Sequence, residues 1–134
     1  MLPKCVVVDL DGTFALHPDE PKRTDHSNCM NDEVNQDVLE GLDFFCNRGQ
    51  PVIFLTKRST KYQIETIAFL QKYFNGESYL IMRDDSDTDD SPTFKKKKLL
   101  KLMEHFDIEL CFEDDDRNIE IMRELGLKVI DVKL

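Results

Sequence analysis

The fold of this chain is decided by the stretch Lys4-Cys5-Val6-Val7-Val8-Asp9-Leu10-Asp11-Gly12-Thr13. Residues 5–8 are apolar and mostly β-branched, which predicts a fully buried strand. The strand passes directly into Asp9, Asp11 and Gly12, and glycine can adopt backbone angles that other residues avoid. Carboxylates at the end of a buried strand are costly unless something binds them. In open parallel α/β sheets ligands bind at this edge. The stretch therefore predicts a binding site, although an ordinary Asp-Gly turn would explain the motif taken alone.

The composition predicts one soluble globular domain covering residues 1–134. The chain is 40% hydrophobic and 34% charged, and its length suffices for one ordinary hydrophobic core. A net charge of −9 disfavours broad nonspecific binding to nucleic acid, which needs a basic surface. A local basic patch remains compatible with that charge. No stretch approaches the length that spans a membrane, so we expect no membrane partner.

The cysteines predict a reduced, cytoplasmic setting. The four of them show no zinc-binding spacing, and Cys5 and Cys111 lie in apolar runs that predict buried thiols. Only four residues precede the first predicted strand, and we expect this to leave no room for a signal peptide.

Strand and helix patterns alternate along the rest of the chain. Helices are predicted from 31–33 to 46, from 60 to 74 with a Thr60–Gln63 capping box, from 91 to 106 with Ser91 as the cap, and over 119–125. Strands are predicted over 51–55, 79–82, 109–112 and 127–132. Strict alternation predicts a parallel sheet with helices on both faces. The polar segment 14–30 predicts a flap, or a small hairpin, over the carboxyl edge.

The predicted strand ends bring a chemically complete set of side chains to one edge. An Asp can attack phosphorus, and a second acid can protonate the leaving oxygen and later activate water. Mg²⁺ needs only a few oxygen ligands, while a hydroxyl and a lysine can absorb charge on phosphoryl oxygens. The members of the set are Asp9, Asp11, Thr56, Lys57, Arg58, the Lys95–Lys98 run and the acids 113–116.

These motifs resemble those of the haloacid dehalogenase (HAD) superfamily of phosphatases. Residues 6–13 match its first motif, Phe54-Leu55-Thr56 its second, Lys95 its third and Phe112-Glu113-Asp114 its fourth. The resemblance covers nearly the whole chain with the motifs in order. It implies a three-layer Rossmann-like α/β HAD fold, with a five-stranded parallel sheet, helices on both faces and no large cap domain.

The resemblance also implies roles for individual residues. Asp9 would be the nucleophile and Asp11 the general acid and base. Mg²⁺ would bind Asp9, Asp114 and the main-chain carbonyl of Asp11. Glu113 and Asp115 stay open as alternative metal ligands or as supporting residues, and Asp115 could simply cap the following helix.

The remaining positions would bind the substrate. Thr56 would hold a phosphoryl oxygen, and Lys57 and Arg58 would contact phosphate or substrate. Lysines in a first helical turn oppose the helix dipole by roughly 0.3–1 kcal/mol each. The Lys95–Lys98 run is therefore easier to explain if one lysine pairs with Asp9 and phosphate while others pair with the acidic loop 84–90. Lys95, which the resemblance places in the third motif, is favoured as that lysine.

A closer likeness is to the 3′-phosphatase domain of phage-type polynucleotide kinase/phosphatases. Thr56-Lys57-Arg58 looks like the Ser/Thr-Gly-Arg of that group. Residues 80–83 and 87–88 with Lys95 resemble its loop leading to the motif lysine, and residues 105–108 and 118–126 look like its C-terminal part. Lys57 in place of Gly, and Glu-Asp-Asp-Asp in place of Asp-Asp-Arg, are departures. The likeness implies a phosphomonoester substrate, with a 3′-phosphorylated DNA or RNA end as the leading candidate. It does not predict the oligomeric state.

Other interpretations remain beside this one. A small-molecule or nucleotide phosphatase would use the same residues. A phosphoacceptor signalling domain is disfavoured because its phosphorylated Asp would end the central strand where this chain has Thr56, and a catalytically inactive binding module is disfavoured because no expected position is lost. The acidic loop lacks the glycine and closing glutamate of a calcium-binding EF-hand. The three histidines, His17, His26 and His105, show no ligand spacing, so we expect surface or packing roles for them.

Overall fold

The central strand β1, Lys4–Val8, sits in the middle of a five-stranded parallel sheet, and the computed structural model describes the chain over residues 1–133. The other strands are β2 (Ala15–Leu16), β3 (Glu33–Val34), β4 (Val52–Ser59), β5 (Ser78–Arg83), β6 (Asp107–Glu113) and β7 (Val129–Asp131). The helices are α1 (Gln36–Cys46), α2 (Gln63–Tyr73), α3 (Ser91–Met103) and α4 (Asp116–Glu124), with short 3₁₀ turns at Cys29–Asn31 and Thr60–Tyr62. No helix within residues 1–133 combines the length and apolar content that crossing a membrane requires.

The order of strands in the sheet is β5-β4-β1-β6-β7, and every neighbouring pair is parallel. Their carboxyl ends therefore meet at one edge. The predicted α/β architecture is confirmed.

The alternation of side chains along β1 builds two cores. Val6 and Val8 pack on one face, against residues of α1 and α2, whereas Cys5 and Val7 pack on the other, against residues of α3 and α4. All four side chains are fully buried. Residues 5–8 are covered on both faces, which leaves no position for a polar side chain and explains this uninterrupted apolar run.

The segment between β1 and α1 differs from its prediction. The first helix begins at Gln36 instead of 31–33, because β3 occupies residues 33–34 and pairs antiparallel with β2. The backbone N–H of Asn35 donates to the carbonyl of Phe14 at 2.8 Å, which holds this part of the chain extended. The predicted small hairpin is thus present, and in the described residues this segment is too small to form a large cap domain.

Two predicted helix caps are wrong. Ser59, and not Thr60, caps the turn before α2, since its Oγ accepts from the N–H of Lys61 at 3.1 Å. Strand β4 continues to Ser59 because, after a register shift beyond Leu55, Ser59 pairs with Arg83. The cap of α3 is Asp90, whose Oδ1 accepts from the N–H of Thr93 at 3.0 Å.

The aromatic centre of the α1–α2 face generates a stability prediction. The fully buried Phe54 ring lies 5.0 Å from that of Phe14 and 5.5 Å from that of Phe74. Phe54→Ala should lower the free energy of unfolding by about 3–5 kcal/mol because it leaves a cavity. Phe44→Ala is the matched control, since Phe44 is 59% exposed, and should cost less than about 1 kcal/mol. Urea unfolding followed by circular dichroism measures both; equal losses would contradict the packing described.

Candidate active site

All nine residues selected from the sequence line one cavity at the carboxyl edge of the sheet. Its volume is about 730 Å³. β1 leads into Asp9 and Asp11, β4 carries Thr56, Lys57 and Arg58, β6 ends in Glu113, and α3 contributes Lys95 from its first turns. Asp114 and Asp115 follow β6 and complete the set.

Lys95 is the buried cation of the site. Its Nζ lies 2.7 Å from Asp9 Oδ1 and 2.7 Å from Glu113 Oε1, and the residue is 2% exposed. Burial alone would lower the pKa of Lys95, but the two adjacent carboxylates raise it above its ordinary value, so the ammonium stays charged. Lys97 pairs instead with Asp89 of the acidic loop at 2.7 Å.

Glu113 uses both of its carboxylate oxygens inside the protein. Oε1 accepts from Lys95, and Oε2 accepts from the backbone N–H groups of Asp114 and Asp115 at 3.1 and 3.2 Å. Burial raises the pKa of Glu113 to about 7. These bonds fit a residue that holds Lys95 and the following turn better than a metal ligand. Asp115 caps α4, with Oδ1 2.8 Å from the N–H of Arg117.

Asp9 and Asp114 face one another across Thr13. The Thr13 hydroxyl lies 3.1 Å from Asp9 Oδ2 and 3.1 Å from Asp114 Oδ1, and its single proton can serve only one of them. Burial, together with the Asp114 carboxyl, raises the pKa of Asp9 to about 6, and burial also raises that of Asp114. Oxygens of Asp9, Glu113 and Asp114 all lie within 4.8 Å of one another. Crowded acids of this kind fit a divalent cation, which prefers oxygen ligands.

Gly12 makes the approach of Asp114 possible. Its φ is +84°, and a Cβ added there would lie 2.2 Å from Asp114 Oδ2. Any other residue would both strain the turn and displace the acid.

Asp11 is surrounded by cationic and imidazole groups instead of acids. Its Oδ1 accepts from Arg58 Nη2 at 2.6 Å and lies 2.8 Å from His17 Nε2, with His26 Nδ1 at 3.7 Å and Arg23 Nη2 at 4.0 Å. Burial raises the pKa of Asp11, but the bonds from His17 and Arg58 outweigh it and hold the pKa below its usual range. Both short contacts involve Oδ1, so Oδ2 remains the oxygen available to a substrate.

The groups around Asp11 come largely from the segment 14–32, in which no site residue was predicted. The guanidinium of Arg23 binds Asp32 through two bonds of 2.7 and 2.6 Å, and its Nε lies 3.2 Å from His26 Nδ1. Surface or packing roles were expected for His17 and His26, and their position beside Asp11 was not predicted. Their closeness in sequence to the Asp-x-Asp motif was the available signal. His105 is exposed, as expected.

Thr56 and Arg58 are more deeply buried than a surface strand end would be. Thr56 is fully buried, and its Oγ1 accepts from the N–H of Arg58 at 3.0 Å, which leaves the hydroxyl proton for another acceptor. The Arg58 guanidinium also donates to Thr66 Oγ1 at 3.0 Å, so the alternative of a surface arginine is wrong. Lys57 is exposed at the cavity wall.

A local basic patch is present, but its members differ from those predicted. Of the Lys95–Lys98 run only Lys95 lines the cavity. Four cationic residues that were not predicted also line the cavity: Lys22, Arg23, Arg83 and Arg117.

Comparison with known proteins gives one family and several relatives. The model of the family described as "Polynucleotide kinase PNKP phosphatase domain" matches residues 3–134. The "Putative bifunctional polynucleotide kinase/RNA ligase" of Autographa californica nuclear polyhedrosis virus is 33% identical over 88 residues, which are 64% of this chain and 13% of that protein.

Two solved structures illustrate the structural likeness. A chain from the "Structure of Pnkp1/Rnl/Hen1 complex" superposes with a TM-score of 0.90 at 30% identity over 98% of this chain and 46% of its own length. The class C acid phosphatase from Bacillus anthracis, with tungstate bound, has a TM-score of 0.70 at 17% identity, over 98% of this chain and 66% of its own, and shows the fold alone. The chain thus spans less than half of the length of the viral relative and of the matched chain from the Pnkp1/Rnl/Hen1 complex.

The raised pKa of Asp9 predicts a pH-dependent gain in stability for Asp9→Asn in metal-free protein. The folded state holds a proton on Asp9 up to about pH 6, against an ordinary value of 3.8, so wild-type stability should fall as pH rises through that window. Asn does not titrate. The stability of Asp9→Asn relative to wild type should therefore rise between about pH 4 and about pH 6, by roughly 1–3 kcal/mol.

Urea unfolding in the presence of a chelator measures this difference. Asp43→Asn, which changes an exposed acid on α1, is the control and should give a constant small difference across the same pH range. A constant difference for Asp9→Asn as well would contradict the buried, crowded site.

Proposed function

Because the chain belongs to the family of polynucleotide kinase PNKP phosphatase domains, and so to the HAD phosphatases, we propose that residues 1–134 form one Mg²⁺-dependent 3′-phosphatase domain that acts on nucleic-acid ends. The resemblance to the HAD superfamily drawn from the sequence motifs is confirmed at the level of the family.

One observation carries the proposed reaction: two acids that are two residues apart lie in opposite electrostatic surroundings. Asp9 is buried beside other acids and Lys95, whereas Asp11 is held by Arg58 and His17. A nucleophile and a proton-transfer group need such separate environments, as paired acids in other enzymes do.

In the proposed first step a carboxylate oxygen of Asp9 attacks phosphorus. The bond between phosphorus and the 3′ oxygen breaks, and Asp11 gives its proton to that leaving oxygen. An anionic phosphate beside Asp11 raises its pKa, since like charge disfavours the ionised form, so substrate binding prepares the acid. The Thr56 hydroxyl and the Lys95 ammonium face the negative charge of the phosphoryl oxygens.

In the second step Asp11 takes a proton from water, which attacks phosphorus, releases phosphate and restores Asp9. Asp9, Asp114 and the main-chain carbonyl of Asp11 would hold the divalent cation. When bound, the cation would neutralise charge on the phosphoryl oxygens.

Nucleic-acid ends are favoured over small esters by two observations. The cavity wall adds Lys22, Lys57, Arg83 and Arg117 to the reaction centre, which suits a substrate with further phosphates close to the reacting one. The viral relative is described as a polynucleotide kinase/RNA ligase, and another solved relative as an RNA repair complex. RNA ends are therefore the first substrates to test. A nucleotide or small-molecule phosphatase is the alternative.

A panel of phosphate esters tests the proposal. Phosphate release from a 3′-phosphorylated oligonucleotide should exceed that from a 5′-phosphorylated one, from nucleoside monophosphates and from an aryl phosphate, compared as kcat/KM. Asp9→Asn should reduce release to background for each ester, because its amide cannot attack phosphorus. Faster turnover of nucleoside monophosphates would favour the small-molecule alternative, and retained turnover in Asp9→Asn would remove Asp9 as nucleophile.

Mg²⁺ should stabilise the folded protein, because it relieves the repulsion between Asp9 and Asp114. At a concentration about 100-fold above its Kd the gain should be about 2.7 kcal/mol, read as a rise in Tm by scanning calorimetry. Asp114→Asn should abolish most of the rise. Asp85→Asn, in the exposed acidic loop, should keep it; loss of the shift in this control alone would move the metal to the loop.

A further inference from the structure

Tyr62 is a cavity-lining residue that neither the sequence motifs nor the proposed reaction uses. It ends the 3₁₀ turn Thr60–Tyr62, which follows β4 and precedes α2. The residue is half-buried and lines the same cavity as Asp9 and Asp11. Apart from two imidazoles, its ring is the one aromatic group among the cavity-lining residues within 1–133.

The ring of Tyr62 lies on the Asp11 side of the site. It meets the ring of His26 edge to face, with centroids 5.4 Å apart and planes inclined by 75°. His26 Nδ1 is in turn 3.7 Å from Asp11 Oδ1. His26 therefore lies between Tyr62 and Asp11, which protonates the leaving oxygen in the proposed reaction. The leaving nucleoside must extend toward this side, away from the acids Asp9 and Asp114.

The other neighbour of the Tyr62 ring is a flexible side chain. The Nζ of Lys61, an exposed residue, lies over the ring, 5.6 Å from its centroid. Because the Lys61 side chain is exposed, a planar ligand can displace it from the ring. The contact with His26 helps to hold the ring in place.

We propose that Tyr62 forms a nucleobase subsite, on which the base of the 3′-terminal nucleotide stacks while its phosphate lies at Asp9. This inference rests on the proposed function and names the part of the substrate that the cavity recognises beyond the phosphate. Every base has a π face, so stacking on an aromatic ring binds bases with little sequence preference. The subsite accepts all four bases and favours a terminal nucleotide that carries a base over one that lacks it.

Two oligonucleotides that differ only in one base test the proposal. Both end in a 3′ phosphate, but in one of them the terminal residue is abasic. Wild-type protein should prefer the complete end by about tenfold in kcat/KM. In Tyr62→Ala this ratio should fall toward one, while Tyr62→Phe, which keeps the ring, should retain it. Tyr79→Ala is the matched control, because Tyr79 is 52% exposed on β5 and does not line the cavity, and its ratio should equal that of wild type.

The outcomes separate failure of the subsite from failure of the proposed function. Equal kcat/KM for the two ends in wild type, or an unchanged ratio in Tyr62→Ala, would overturn the subsite while the enzyme remained a 3′-phosphatase. If Tyr62→Ala folds poorly, the subsite is still tested by the ratio of kcat/KM for the two ends in wild type and in Tyr62→Phe. Hydrolysis of an aryl phosphate with no release from either oligonucleotide would overturn the proposed function and the subsite with it.

Discussion

A single buried ammonium, the Nζ of Lys95, joins Asp9 to Glu113, and the carboxyl edge of the sheet depends on this contact. Buried carboxylates and ammonium groups are tolerated only when paired and hydrogen-bonded. The three groups come from β6, α3 and the residue after β1, so the pairing also ties together parts of the chain that are far apart in sequence. Glu113 extends the arrangement to the next turn through the N–H groups of Asp114 and Asp115. The turn in turn presents Asp114 to Asp9.

The same edge separates charge over a very short distance. Burial and neighbouring acids raise the pKa of Asp9 to about 6, whereas His17 and Arg58 hold that of Asp11 below its usual range. The acidic side of the site would favour a cation, and the cationic side an anion. The chain can therefore be acidic overall, with a net charge of −9, and still carry a cationic surface beside Asp11, because solvent screening confines the effect of exposed charges to their neighbourhood.

The parts of the molecule that could be predicted from sequence are those in which the residue types themselves indicate the local structure. Val6 and Val8 predict a buried strand because an unbroken apolar run is typical of a strand covered on both faces. Lys95 stands out because lysines near the start of a helix oppose the helix dipole. The segment 14–32 carries no such local signal. Its two-residue strands pair through backbone contacts, and His17, Arg23 and His26 reach Asp11 only after the hairpin has folded back. The predicted capping box of Thr60 and Gln63 is wrong for a related reason. Pairing of Ser59 with Arg83 extends β4 to the residue before Thr60.

The contacts of Asp11 have a consequence for entry into the cavity. His17 and Arg23 belong to the segment that lies over the site, and His17 touches the same carboxylate oxygen that Arg58 binds. Arg23 is anchored to Asp32, at the base of the same segment. A displacement of this segment that carried His17 away from Asp11 would remove one hydrogen-bond partner from the carboxylate and so change its pKa. The position of the segment and the basicity of Asp11 are linked through this contact.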